Sequence, residues 1–328
     1  MLQNKELLQN RKNLLAFSAG GDSTALLFLL KENNIPFDIA IVDYGVRAQS
    51  KEEVAYALAL AKEFGFVCHV HNAITISSGF EAKAREVRYA FFEELIQKYA
   101  YENLLTAHHL GDRFEWMLMQ FCRGAGCVEL SGMQAVESRA NYTLVRALLH
   151  LDKQELLSYL NKHKIKYFED ASNTDESYTR NAFRHKHTNP LLAQHLQGIK
   201  KSFEYMDEDV ATLVHELEVQ KCNKLAYFKT SQSQRSNIVA IDKHLKLLGH
   251  LTTASEKKLL KKEKSVVIGR KYVVAQSGTY TFLAPYIQAQ EIEKKLKEKL
   301  RILEVAPKLR GYLAGDSEAV ELVSLLLQ

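Results

Sequence analysis

The chain has 328 residues, 46% hydrophobic and 25% charged, which suits a soluble globular protein of two or three domains of roughly 100–200 residues each and excludes a disordered or fibrous polypeptide. No apolar run approaches the roughly 20 residues that span a bilayer, and the opening Met1-Leu2-Gln3-Asn4-Lys5-Glu6 lacks the apolar stretch of a secretion signal, so no membrane partner and a cytoplasmic location are expected. The net charge of +5 is unevenly held: residues 243–310 carry 16 Lys and Arg against 6 Asp and Glu, residues 1–242 carry 28 against 30, and residues 311–328 carry 0 against 3.

A basic block of that kind attracts a polyanion, because each neutralised phosphate releases counterions, and it favours a nucleic-acid substrate. Lys-rich solvated helix faces would give the same count. The four cysteines, Cys68, Cys122, Cys127 and Cys222, form no C-x-x-C pair, so reduced and mostly buried thiols are expected in place of a zinc or iron–sulfur site.

In chain order, apolar runs at residues 14–17, 37–42, 66–70, 104–107 and 142–145 predict strands. Helical spacing predicts helices over 24–31, 50–64, 80–99 and 111–121, and the capping patterns at Ser50-Lys51-Glu52-Glu53 and Asp152-Lys153-Gln154-Glu155 predict helix starts there. Such alternation predicts an α/β domain, a Rossmann-like parallel sheet with helices on both faces, whose ligands bind beyond the carboxyl ends of the strands. Residues 168–190 are polar and without clear period, the pattern of a loop able to close over a site, and include Asp170, Asn173, Asp175, Arg180, Asn181 and Arg184. A long helix is predicted from 191 to about 222. Beyond it come short β-like runs at 225–228, 238–241, 266–268, 272–275 and 280–283, with Lys-rich helices at 256–264 and 291–301. These features predict an α/β domain over residues 1–215 and a smaller, basic α+β domain over 216–328.

The strongest chemical signal is Ser18-Ala19-Gly20-Gly21-Asp22-Ser23, directly after the first strand and before a helix. Glycines let backbone approach a phosphate, hydroxyls and free N–H groups donate to it, and Asp22 is suited to a magnesium ion bridging phosphate oxygens. Asp43 ends the second strand at the same sheet edge, where a plain solvated position would look no different. Asp112 and Glu115, three apart, share a helix face beside His108 and His109, a face suited to magnesium or to a substrate amine. Arg85 and Arg88 share another face, suited to phosphate or a base edge and equally to surface ion pairs with Glu81 and Glu86. Arg180 and Arg184 are placed to meet the charge of a phosphoryl transition state, or simply to solubilise a surface.

The loop resembles the S-G-G-x-D-S pyrophosphate (PP) loop of the N-type ATP pyrophosphatases. Four further stretches, Ile41 to Arg47, Glu81 to Tyr89, Thr106 to Glu115 and Arg123-Gly124-Ala125-Gly126, with Arg180-Asn181-Ala182-Phe183-Arg184, look like successive motifs of the lysidine synthase family, in family order. The resemblance implies an enzyme that uses ATP to adenylate the C2 position of the wobble cytidine (C34) of an isoleucine tRNA with anticodon CAU, after which free L-lysine displaces AMP to give lysidine. Carried onto this chain, it implies that Ser18, Ala19, Gly20, Gly21, Asp22 and Ser23, with Asp43, bind ATP. Asp22 and Glu115 then hold Mg2+, Arg88 and Asp112 contact cytidine or lysine, and Arg180 meets the phosphates. A homodimer stays open.

Three positions depart from the family pattern: Ala19 for the first loop glycine, Tyr44 for a frequent His, and Gly111 for a common Asp. Ala19 is expected to be tolerated only with φ below zero. Two other functions stay in view. A PP-loop tRNA sulfurtransferase would need catalytic cysteines or cluster ligands, for which Cys122 and Cys127 are a poor match, and Ala19 would suit a non-catalytic tRNA-binding protein.

Overall fold

The computed structural model describes residues 1–45, 48–73, 80–169, 179–288 and 292–328, with the side chains of residues 48, 80–82 and 179 left aside. Asp170, Asn173, Asp175, Arg47 and the Glu81 side chain therefore lie outside the described residues. The chain divides into two compact units, Met1–Asp207 and Glu208–Gln328.

The first unit follows the expected alternation. In order it holds β1 (Asn13–Ala16), α1 (Gly21–Glu32), β2 (Asp38–Asp43), α2 (Ala48–Phe64), β3 (Cys68–Asn72), α3 (Phe80–Tyr99), β4 (Asn103–Leu105) and α4 (Leu110–Phe121). Then come α5 (Cys127–Ser131), β5 (Val136–Ser138), β6 (Thr143–Val145), α6 (Lys153–Lys162), α7 (Thr179–Phe183), a π-helical turn (Arg184–Thr188) and α8 (Asn189–Leu213), within which the division at Asp207 falls. The sheet order is β3-β2-β1-β4-β6-β5. Its first five strands are parallel, and β5 pairs antiparallel to β6 at the edge, so the sheet is mixed and not wholly parallel.

Period-two alternation sends successive side chains to opposite faces. Leu15, Ile39, Ile41, Leu105 and Val145 pack with α1 and α6 in one core, while Leu14, Ala40, Leu104 and Leu144 pack with Phe91, Phe92, Leu95 and Ile96 of α3 in another. Each such fully buried aliphatic side chain contributes about 1.5–3 kcal/mol. A third cluster, Leu110, Phe114, Leu192 and Phe203, seats α4 on α8. There the buried Arg113 donates to both oxygens of Asp207 and lies over the Phe203 ring at 4.3 Å.

Several local expectations change. Asp152 does cap α6, with the reciprocal bond from its own N–H to Glu155. Ser50, in contrast, lies inside α2, which begins at Ala48. Residues 179–188 are helical, not a loop, and the long helix ends at Leu213.

The second unit holds β7 (Gln220–Cys222), β8 (Leu225–Lys229), α9 (Gln234–Leu247), α10 (Ala254–Lys262), β9 (Ser265–Ile268), β10 (Tyr272–Ser277), β11 (Tyr280–Pro285), α11 (Lys294–Ile302), α12 (Pro307–Leu313) and α13 (Ser317–Leu326). Its antiparallel sheet, ordered β7-β8-β11-β10-β9, carries α9 and α10 on one face and α11, α12 and α13 on the other. The run 238–241 belongs to α9 and is not a strand: Ser233 caps this helix through the Ser236 N–H, and Ile238, Ile241 and Leu245 recur at helical spacing on its buried side.

Candidate active site

Strand order reverses between β1 and β4, which neighbour each other although α1, β2, α2, β3 and α3 separate them in sequence. In open α/β sheets the ligand crevice lies at such a switch point, beyond the carboxyl ends of the strands. Two helix N-termini therefore converge there: α1 after β1 and α4 after β4.

The loop after β1 is tightly built. Ser18 N–H donates to Ser23 Oγ at 3.2 Å, the two serine hydroxyls are 3.1 Å apart, and Ser23 Oγ donates to the Gly20 carbonyl. Gly20 is the N-cap of α1 and accepts from Thr24 N–H, which leaves the N–H groups of Gly21, Asp22 and Ser23 in the first turn, where no intrahelical acceptor exists. A first turn of this kind is suited to an anion. The Phe168 N–H donates to the Ala19 carbonyl, and Gln49 donates to the Glu169 carbonyl, so residues 168–169 strap the loop in place.

Ala19 overturns the expectation for its backbone: its φ is +58°, in the left-handed region. The residue is fully buried and its methyl belongs to the core that contains Leu15 and Leu26, which offsets a strain of about 1–2 kcal/mol.

After β4, His109 caps α4. Its Nδ1 accepts from Gly111 N–H at 3.0 Å, while its own N–H donates to Asp112 Oδ2 at 3.1 Å. With Nδ1 occupied as an acceptor, the neutral ring carries its proton on Nε2. That nitrogen lies 3.8 Å from Asp22 Oδ2 and 3.6 Å from Asp112 Oδ2. Gly111 explains itself here: a Cβ at this position would sit 2.7 Å from His109 Cε1, so the Asp common in the family would displace the ring.

Asp112 and Glu115 share their face with two arginines. Arg184 donates to Asp112 Oδ1 at 2.8 Å and to Glu115 Oε2 at 2.7 Å; Arg180 reaches Asp112 Oδ1 at 3.4 Å and also donates to Glu115 Oε1. Burial alone would raise the Asp112 pKa; His109, His108, Arg184 and Arg180 outweigh it and hold this carboxyl well below the usual range. Burial lowers His108 to about 4, against the attraction of Asp112 and helped by Arg146, Arg180 and Arg85, so its imidazole is neutral at physiological pH. His108 Nδ1 is 2.9 Å from Thr106 Oγ1.

The remaining expected residues stand on β2, α3 and the segment between β2 and α2, with partners of their own. Asp43 ends β2, and its Oδ1 accepts from Gly45 N–H at 2.8 Å. Tyr44 donates to the Ala84 carbonyl at 3.0 Å and accepts a hydrogen bond from Arg88, which is exposed on α3; burial nevertheless raises the Tyr44 pKa. Arg85 lies 4.6 Å from the centre of the Tyr89 ring. Arg184, expected with Arg180 to meet phosphoryl charge, instead holds Asp112 and Glu115, and the linking role of His109 was not read from the sequence. The signal was the His-x-x-Asp spacing at the start of α4, which is a capping pattern.

A hard cation finds one ready ligand. Asp22 Oδ1 is buried without a hydrogen-bond partner, as a magnesium ligand at a phosphate site would be. Glu115 differs, because each of its oxygens already accepts from an arginine.

Fold and loop together define a nucleotide-binding domain of the PP-loop class, and a family model described as a PP-loop domain matches residues 1–191. Curated relatives include a tRNA(Ile)-lysidine synthase from Wolinella succinogenes, 42% identical over 95% of this chain and 95% of that protein. Enzymes of the same name from Campylobacter jejuni (40%, covering 94% of each chain) and Helicobacter pylori (38%, covering 95% of this chain and 92% of the other) are similar too. Among solved structures, the U34-tRNA thiolase NcsA from Methanococcus maripaludis shares the fold, with a TM-score of 0.54 at 16% identity over 66% of this chain and 78% of that one. The chain belongs to the tRNA(Ile)-lysidine synthase family and is an enzyme of that type.

Proposed function

We propose that this protein joins free L-lysine to C2 of the wobble cytidine of an isoleucine tRNA with anticodon CAU, consuming ATP and releasing AMP and pyrophosphate. The observation that carries this reading is the single imidazole of His109 lying within 4 Å of both Asp22 and Asp112. It brings a phosphate-gripping turn beside a pair of carboxylates suited to an amine.

In the first step the oxygen on C2 attacks the α-phosphorus, and pyrophosphate leaves. The amine of lysine then attacks C2 and AMP departs with that oxygen. No covalent protein nucleophile is needed, so the residues position reactants and neutralise charge. The loop N–H groups and Ser18 and Ser23 hold the phosphates, and Asp43 faces the nucleotide from the next strand end. Asp22 would hold Mg2+, which supplies charge neutralisation on the phosphates. Glu115 would join it only by releasing Arg180 or Arg184.

Those two arginines serve the phosphates when they leave the carboxylates, and Asp112, kept ionised, then receives the amine and orients it. Arg88 contacts the base. Lysine attacks as its free amine, having lost the ammonium proton to solvent, and His108, held neutral by burial, adds no positive charge to compete with that amine at Asp112. The basic second unit holds the tRNA, supported by the Lys-rich α10 and α11 on opposite faces of its sheet. The reaction belongs in the cytoplasm, and no helix among the described residues is long and apolar enough to cross a membrane.

The test is incubation of the protein with ATP, Mg2+, lysine and an isoleucine tRNA transcript bearing CAU, followed by nucleoside mass analysis. A cytidine heavier by one lysine residue is the expected product; an unchanged cytidine rejects the reading.

A further inference from the structure

Trp116 is the single tryptophan of the chain. It stands four residues after Asp112 on α4, so it lies on the same stripe of the helix, about 6 Å further along the axis. Its side chain is 46% exposed. One edge is held: a Cβ at Gly132, whose φ is +66°, would lie 2.8 Å from Trp116 Cδ1, so the indole rests against backbone that only glycine leaves open. Near the start of this stripe stand two guanidinium groups open to solvent: Arg85, which is exposed and acts on His108, and Arg180, which bonds to Asp112. An indole face left in water on a helix whose start carries such cations is complementary to an unpaired base on a polyanionic strand, because every base offers a π-face and the cations suit its phosphates.

We propose that Trp116 is a stacking platform for an unpaired base of the RNA substrate, adjacent to the base held at Asp112. The proposal rests on the reading of an RNA base as the substrate. The platform gives affinity for a loop with splayed bases and none for a paired duplex, whose base faces are covered.

The lone tryptophan makes the test direct. The full chain is titrated with a CAU anticodon stem-loop RNA while its tryptophan emission is followed. Saturable quenching is expected, with no comparable response to a fully paired hairpin. Trp116→Ala should raise KM for the RNA about ten-fold, the effect of losing one base stack, while KM for ATP stays within about two-fold. Trp116→Phe, which keeps a flat ring and the fold, should recover most of that loss. Unaltered emission at RNA concentrations that saturate turnover, or an unchanged KM for RNA in Trp116→Ala, overturns the proposal. So does emission that shifts with protein concentration alone, which would assign the face to a second copy of the chain. Quenching by RNA without any lysine-bearing product would reject the proposed reaction and leave the platform standing; product formation with a silent Trp116 would do the reverse.

Discussion

His109 Nε2 lies 3.8 Å from Asp22 Oδ2, a contact between the helix start after β4 and the loop after β1. It exists because β1 and β4 are neighbours in the sheet, and because Gly111 occupies the other ring nitrogen and directs the Nε2 proton toward the carboxylates. The electrostatics of the two halves of the site are thereby joined through one buried ring.

Asp22 has one oxygen near that ring and one buried oxygen without a partner. Asp22→Ala should reduce lysidine formation by at least about 1,000-fold, because it removes charge placement at the phosphates. Stability should fall by no more than about 1 kcal/mol, the worth of an acid in the first turn of a helix. Product analysis beside a denaturant titration checks both, and retained turnover would remove Asp22 from the mechanism.

Glu115 is 1% exposed and accepts from two guanidinium groups. Glu115→Gln should destabilise the protein by about 2 kcal/mol, less than the loss of a fully buried pair, because Arg180 and Arg184 keep Asp112 and are partly open to solvent. The midpoint of urea unfolding measures this. A cost under about 1 kcal/mol would mean that the arginines turn to solvent freely.

Ala19 sets three terms against each other. Left-handed backbone costs an L-residue about 1–2 kcal/mol, burial of the methyl returns about 0.8, and glycine would cost about 0.4–1 through the unfolded chain. Ala19→Gly should therefore change stability by less than about 1 kcal/mol in either direction and leave turnover intact. Ala19→Val should cost more than about 2 kcal/mol, because a branched side chain adds strain and overpacks the core. Thermal unfolding of the pair distinguishes them.

His108 titrates at about 4 in the folded protein and near 6.5 when unfolded. Between those values the unfolded chain binds more protons, so stability is full above about pH 6.5 and declines as pH falls toward 4, by up to about 3 kcal/mol. Asp112, also held low, adds a loss only in stronger acid, below the ordinary carboxylate range. Unfolding free energies at pH 7 and pH 5 should differ, and His108→Gln should flatten the difference. An unaltered pH dependence in that variant would contradict the assignment.

The parts of the fold written in local signals were legible beforehand. The strand–glycine–helix junction at Ser18 to Ser23 and the capping box at Asp152 depend on residues within a few positions of each other, and both stand where the pattern put them. The run 238–241 was misleading because a short apolar stretch fits a strand or a buried helix turn, and only the Ser233 cap together with the later Leu245 settles the matter. The edge strand β5 has three residues and no periodicity to read.

Within the site, single acids and loop residues were visible by type, whereas their pairing was not. Arg180 and Arg184 sit in a polar stretch without an apolar stripe because the groups they meet are carboxylates on α4, more than sixty positions away in sequence. The same holds for Tyr44, whose bond to Arg88 joins the end of β2 to α3. Charge pairs between distant elements leave no period behind, so only the folded sheet reveals them.

The central claim is that the turn after β1 grips the pyrophosphate end of ATP. A crystal structure of the protein with α,β-methylene ATP and Mg2+ tests it most directly. The account predicts β- and γ-phosphate oxygens within hydrogen-bond distance of the Gly21, Asp22 and Ser23 N–H groups, with the metal on Asp22 Oδ1. A triphosphate bound elsewhere, with that first turn of α1 unengaged, would contradict it.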